Sequence, residues 1–289
     1  MRKTLLAASI VAAFAVPSAS YAQASAAAPA SPHTVTGNVG LFTDYRFRGI
    51  SQTFKQPALQ GGFDYSHASG LYLGTWASNV TGSLANGPSY TGGNLEWDMY
   101  GGYKWEPAKD LTLDVGGLYY YYPDARYGVA TRDKYDNFEL YLGASYKWLS
   151  AKYSVTTTDY FGTKTNTYGA YCGLRSDGVT AGANCATAAP GGSKGSGYLD
   201  LTGTFEIGDK LNLIGHIGHQ SVKNYGRLSY TDYKLGLTKE WAGFTWGASI
   251  IGTDADKDWW RAVKVEGGGN RKVKDPGDTS IVLSISKTF

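Results

Sequence analysis

The sequence predicts an all-β chain: an antiparallel, up-and-down transmembrane β-barrel of about twelve strands with short periplasmic turns and long external loops. Three observations carry that prediction. Beyond its first residues the chain has no apolar run near the roughly 18 residues of a membrane helix. From Val35 onward it alternates apolar and polar residues in stretches of about ten to fourteen, the length a tilted membrane strand needs. Short and long connections between those stretches follow one another in strict order.

The first element is an export signal. Arg2 and Lys3 precede an apolar stretch, residues 5–16, that is too short to span a bilayer. Ser20-Tyr21-Ala22 places small residues at the two positions cleavage requires, so residues 1–22 read as a signal peptide; Ala22-Gln23-Ala24 offers a second cut. Residues 23–34, rich in Ala, Ser and Pro, read as a flexible leader. Residues 35–289 read as the barrel. Losing Arg2 and Lys3 lowers the formal charge from +3 to +1, which argues against nucleic acid or another polyanion as partner.

Composition agrees with a barrel. The chain has 39 Gly, 23 Tyr and 8 Trp but only 2 Met, a mix suited to twisted strands and aromatic girdles. In "NLEWDMYGGYKWE" (residues 94–106), Leu95, Trp97, Met99, Tyr103 and Trp105 share one face while Glu96, Asp98 and Lys104 share the other. Phe138, Leu140, Leu142 and Tyr146 oppose Asn137, Glu139, Ser145 and Lys147 in the same way, and Tyr233, Leu235 and Leu237 oppose Asp232, Lys234 and Thr238. Short connections are expected at 68–70, 107–110, 149–150, 208–210 and 242–243, and long ones at 49–56, 79–93, 123–134, 162–197, 222–231 and 255–277. A Greek-key sandwich gives no reason for that segregation. Trp105, Trp148 and Trp241 sit beside short turns, where an interfacial girdle belongs. The last strand alternates Ile281, Leu283 and Ile285 against serines and ends on Phe289, which is similar to the assembly signal of bacterial outer-membrane barrels.

The opening strand carries a more specific likeness. "DYRFRGISQT" (residues 44–53), "PALQGGFDYSHASGLYLGTWASNV" (57–80) and the terminal "SKTF" resemble the TorF porin family of Gram-negative bacteria, whose function is poorly defined. The resemblance implies a barrel in the bacterial outer membrane and suggests a pore. It supplies no catalytic residues and no cofactor.

By phase, Leu41, Tyr45 and Phe47 are expected to face lipid, and Asp44, Arg46 and Arg48 the lumen, joined there by Glu96, Asp98, Glu139 and Lys147 as pore lining. Two roles stay open for the arginines: attracting anionic solutes, or pairing with acids to brace the wall. Lumen-phase acids outnumber bases overall, which favours cations. Cys172 and Cys185, within the 162–197 loop, fit a disulfide in an exported chain, with the loop either entering the pore or covering it. Tyr119–Tyr122 reads as an interface girdle, and Trp259-Trp260 as an exposed pair of indoles. No metal set, elbow or phosphate loop is apparent, so no enzyme and no cofactor is expected.

The function these readings favour is passive diffusion of small hydrophilic solutes by a monomer whose other partners are outer-membrane lipids and lipopolysaccharide. A closed structural or adhesive barrel acting through its loops is the alternative. A barrel hydrolase, resting on His216 in lumen phase or on His67 and His219 in lipid phase, ranks last.

Overall fold

The computed structural model describes residues 31–81, 90–91, 93–127, 133–168, 171–183, 185, 191–265 and 271–289. The signal peptide and most of the leader lie outside the described residues. Twelve strands close into one antiparallel barrel. They are β1 His33–Phe42, β2 Ala58–His67, β3 Leu71–Asn79, β4 Leu95–Ala108, β5 Leu111–Tyr121 and β6 Asn137–Tyr146. The circuit continues through β7 Leu149–Thr156, β8 Gly197–Gly208, β9 Leu211–Ser221, β10 Tyr230–Trp241, β11 Phe244–Thr253 and β12 Ser280–Thr288. Each strand pairs with its sequence neighbours, and β1 closes the ring on β12 with Leu41 opposite Ile285. Closure leaves the barrel wall itself without an edge strand. The first strand starts at His33, inside the stretch read as leader.

The alternation in the sequence becomes an inversion of the soluble pattern. Tyr198 and Asp200 on β8 are each 1% exposed, while Leu199 between them is 43% exposed. Leu59, Phe63, Leu73, Leu142, Leu235 and Ile281 are likewise exposed around the outer wall. Such a belt is unfavourable in water and at home in hydrocarbon.

The short connections all lie at one end. Ala242 and Gly243 both take positive φ, 53° and 79°, and make the two-residue turn whose twist suits a hairpin. The β6–β7 turn falls at Lys147-Trp148, two positions before the expected 149–150, with Lys147 at φ 53°. At β4–β5 the strand runs through Pro107 to Ala108, with a register shift between Trp105 and Ala108.

The interior differs between its two halves. Toward the long-loop end it is solid: Tyr45, Phe47, Trp76, Tyr120, Tyr122 and Phe161 belong to one buried aromatic cluster. Toward the short-turn end, Asn38, Asp64, Tyr72, Asp114, Lys152 and Lys234 are only half-buried. Glycines thin the wall there. A Cβ on Gly74 would meet the Tyr100 ring at 2.3 Å, and one on Gly116 would meet the Tyr141 hydroxyl at 2.4 Å, so these rings lie flat against bare backbone.

Candidate functional site

The lumen is governed by a segment that leaves the wall. After Phe42 the chain turns inward as a small hairpin, Arg46–Phe47 against Ile50–Ser51, with Arg46 opposite Ser51. Asp44 organises its base. One carboxylate oxygen accepts from the Ser51 and Thr53 hydroxyls at 2.6 and 3.0 Å, and the other accepts from Arg46 Nε at 2.6 Å. The Gln52 N–H donates to the Tyr45 carbonyl at 2.7 Å. Arg46 Nη1 donates to the carbonyls of Gly49, Pro276 and Asp278 at 2.9, 2.7 and 3.0 Å, which ties the hairpin to the loop before β12.

The hairpin tip is Arg48-Gly49, both at positive φ, 46° and 79°. Gly49 is required there: a Cβ would lie 2.7 Å from the Asp232 Cβ and 2.4 Å from the Thr253 methyl. Arg48 accepts the strained conformation and reaches across the barrel. Its Nη2 lies 2.6 Å from Glu139 Oε2 on β6, and its Nη1 2.5 Å from Gln220 Oε1 on β9. Its guanidinium lies 4.2 Å from the Tyr198 ring centroid and 4.8 Å from that of Phe47. Gln220 is pre-set for this contact, because its Nε2 donates to the carbonyls of Gly197 and Ser221. Glu139 also accepts from Asn137 Nδ2 at 3.2 Å. Both members of the ion pair are buried, so the geometry must repay a large loss of hydration.

Sequence phase misplaces two residues here. Tyr45 and Phe47 were expected to face lipid, but they are 7% and 6% exposed, inside the barrel. The wall ends at Phe42, so their alternation refers to the hairpin. The Tyr45 hydroxyl donates to Glu96 Oε1 at 2.7 Å, and Phe47 packs edge to face on Tyr120 and Phe161 at 5.5 and 5.6 Å. Leu41, still in the wall, is exposed on the outer face.

Of the remaining residues expected in the lumen, Glu96, Asp98 and Glu139 point inward and are buried. Glu96 Oε2 and Asp98 Oδ1 have no partner among the described residues, as do Asp64 Oδ2 and Asp200 Oδ2. Lys147 is a correction. It lies exposed in the β6–β7 turn, with its ammonium 5.0 Å from the Tyr146 ring centroid, because the strand stops one residue before it. Trp259 is a second one: it is 1% exposed and packs on Tyr171 at 5.3 Å, whereas Trp260 is half-buried. Of the four successive tyrosines only Tyr119 and Tyr121 lie outside, stacked at 6.3 Å; Tyr120 and Tyr122 are buried.

His216 faces inward between two acids. Its Nε2 is 2.9 Å from Asp232 Oδ1, and its Nδ1 is 2.9 Å from Thr202 Oγ1 and 3.5 Å from Asp200 Oδ1. The Tyr198 hydroxyl donates to Asp232 Oδ2 at 2.9 Å. The Thr202 hydroxyl donates to Asp200 and is 1% exposed, so this resembles a wall brace more than a nucleophile with its base. His219 is exposed on the outer wall, and His67 bonds Ser69 at the short-turn rim. Among the described residues no three His, Cys, Asp or Glu side chains gather as a metal set.

At the long-loop end Cys172 and Cys185 form a disulfide. Their loop rests on the one-turn helix Lys257–Trp260 and its C-terminal residue: the Leu174 N–H donates to the Asp258 carbonyl at 2.7 Å, and Arg261 Nη1 to the Leu174 carbonyl at 2.6 Å. Nearby, burial pushes the Asp278 carboxyl up, but Lys257 at 2.8 Å and Lys55 at 3.7 Å outweigh it and hold the group below its ordinary range.

A family model described as "Bacterial protein of unknown function (Gcw_chp)" matches residues 26–289. Among solved structures the chain is similar to the KdgM porin, with TM-score 0.47 and 6% identity over 88% of this chain and 99% of that one. It is similar to the NanC porin in its rhombohedral crystal form, with TM-score 0.45 and 11% identity over 88% and 98% of the two chains. It is also similar to OccAB3 of Acinetobacter baumannii, with TM-score 0.38 and 12% identity over 89% and 65%. No curated protein matches.

Proposed function

The chain belongs to the Gcw_chp family, and we propose that it is a porin-like channel of the TorF type in the bacterial outer membrane. It passes small hydrophilic solutes and is closed, in the conformation described, by its inward hairpin. The short turns then face the periplasm and the long loops the exterior. The chain acts as a monomer among outer-membrane lipids and lipopolysaccharide.

The observation that carries the reading is the periplasmic half of the lumen. Among its inward residues, Asn38, Asp64, Asp114, Lys152 and Lys234 are polar or charged and only half-buried. A barrel serving only as a wall has no need of so many half-buried charged groups on its inner face. Selection follows from width and lumen charge, with no chemistry.

The solid external half favours a second reading, a closed barrel that acts through its loops. Single-channel recording of the purified protein in a planar bilayer separates the two. Channel steps from the wild type, or from a variant with the hairpin unlatched, support conduction. Silence from both supports the closed barrel.

A further inference from the structure

At the short-turn rim two histidines face each other across the β1–β2 pair. His33 stands directly opposite His67 in register, and both lie on the outer face, in phase with Val35 and Phe63. The Ala68 N–H donates to the Pro32 carbonyl at 2.8 Å, which carries the ladder one step past them. That bond also makes His33 and His67 a non-hydrogen-bonded pair, the kind whose side chains come closest. Their ring centroids are 5.1 Å apart, with the planes at 49°.

Each ring is held by its Nδ1. His33 Nδ1 lies 2.8 Å from the Tyr65 hydroxyl, and His67 Nδ1 lies 2.8 Å from Ser69 Oγ and accepts from the Ser69 N–H at 3.1 Å. Neither Nε2 has a hydrogen-bond partner among the described residues. Metal-ligating imidazoles share this arrangement, with one nitrogen fixed by a neighbour and the other left for the ion. The spacing agrees: two imidazoles on one tetrahedral ion, at bonds of about 2.0–2.1 Å, put their ring centres about 5 Å apart. Neutral nitrogen donors without a carboxylate suit zinc, nickel or copper rather than magnesium or calcium. His33 is exposed, so water can complete the shell.

We propose that His33 and His67 form a site for a divalent transition metal of the zinc–copper class, with both Nε2 atoms as ligands. Ligation through Nε2 places the His67 proton on Nδ1, where Ser69 Oγ accepts it in place of the Ser69 N–H bond. The Tyr65 hydroxyl accepts from His33 Nδ1 in the same way. The ion clips β1 to β2 where the chain enters the barrel. Binding stands whether or not the barrel conducts.

The test uses the full chain in detergent, without a histidine tag and stripped of metal by a chelator, with calorimetry against Zn²⁺ and electron paramagnetic resonance with Cu²⁺. Zn²⁺ should bind saturably, and the Cu²⁺ spectrum should show nitrogen coupling. His33→Ala and His67→Ala should each weaken Zn²⁺ roughly tenfold or more. Tyr65→Phe, which frees the His33 ring, should weaken it about tenfold. His219→Ala, which removes an exposed imidazole elsewhere on the wall, should bind as the wild type does. Zn²⁺ should also raise the temperature at which the wild-type barrel loses its folded gel migration, and should not do so for the double histidine variant. That migration certifies that each variant is folded. The proposal is overturned if Zn²⁺ does not bind, if either single variant of His33 or His67 binds as the wild type does, or if His219→Ala abolishes binding.

Discussion

Arg48 and Glu139 meet at 2.6 Å inside the barrel, 91 positions apart in the chain. One comes from an inward hairpin and the other from the wall, so the contact is a latch between a plug and its housing. Removing one partner of a buried pair strands the other, at a cost of about 3–5 kcal/mol. Arg48→Ala should lower the urea midpoint of the barrel and make channel steps larger or more frequent in planar bilayers. Arg48→Lys, which keeps the charge but loses the fork, should fall between.

Gly49→Val attacks the same hairpin without touching charge. The new Cβ would press on Asp232 and Thr253, at a positive φ that valine resists. About 1–3 kcal/mol of destabilisation is expected. Conductance should rise as in Arg48→Ala, with the zero-current potential of a KCl gradient unchanged. A shifted potential would mean that the hairpin's position sets selectivity as well as access.

Lumen charge should be separable from turn charge. Asp64→Asn with Asp114→Asn removes two half-buried acids from the inner face of the short-turn half, and the reversal potential should move toward anions. Lys147→Glu, in the exposed turn, should leave it in place.

The Cys172–Cys185 loop should loosen in acid. Asp177 accepts from the Thr180 hydroxyl and from the Val179 and Thr180 N–H groups, both at 2.8 Å, which lowers its carboxyl from 3.8 to about 2. Its folded value lies below its ordinary one, so the turn is supported fully above pH 3.8 and loses support as pH falls toward 2. Hydrogen exchange at the Val179 and Thr180 amides should quicken across that window, and Asp177→Asn should abolish the dependence.

The barrel was legible because a two-residue period with inverted exposure has few physical solutions. Where the chain stays in the wall, as at Glu96-Trp97-Asp98, alternation reports the face directly. It fails at Tyr45 and Phe47 because a period of two says only that two faces differ, not which surroundings each meets. The hairpin buries both of its faces, and its pattern continues that of β1 without a break. The Arg48-Gly49 pair was the available signal for a turn there. At Lys147 one residue separates wall from turn, and side-chain pattern does not resolve that step. Trp259 was misread because adjacent indoles in a long loop carry no periodicity to report depth. It is buried against Tyr171 from another long loop, a juxtaposition no local pattern encodes.

The flat tyrosines have a consequence for variation in this lumen. Tyr100 occupies the space a side chain at Gly74 would take, and Tyr141 does the same to Gly116. Neither member of such a couple can change alone without a collision or a gap. Each couple should therefore be inherited as a unit, and bore width should differ between relatives in steps of whole couples rather than by drift at single sites.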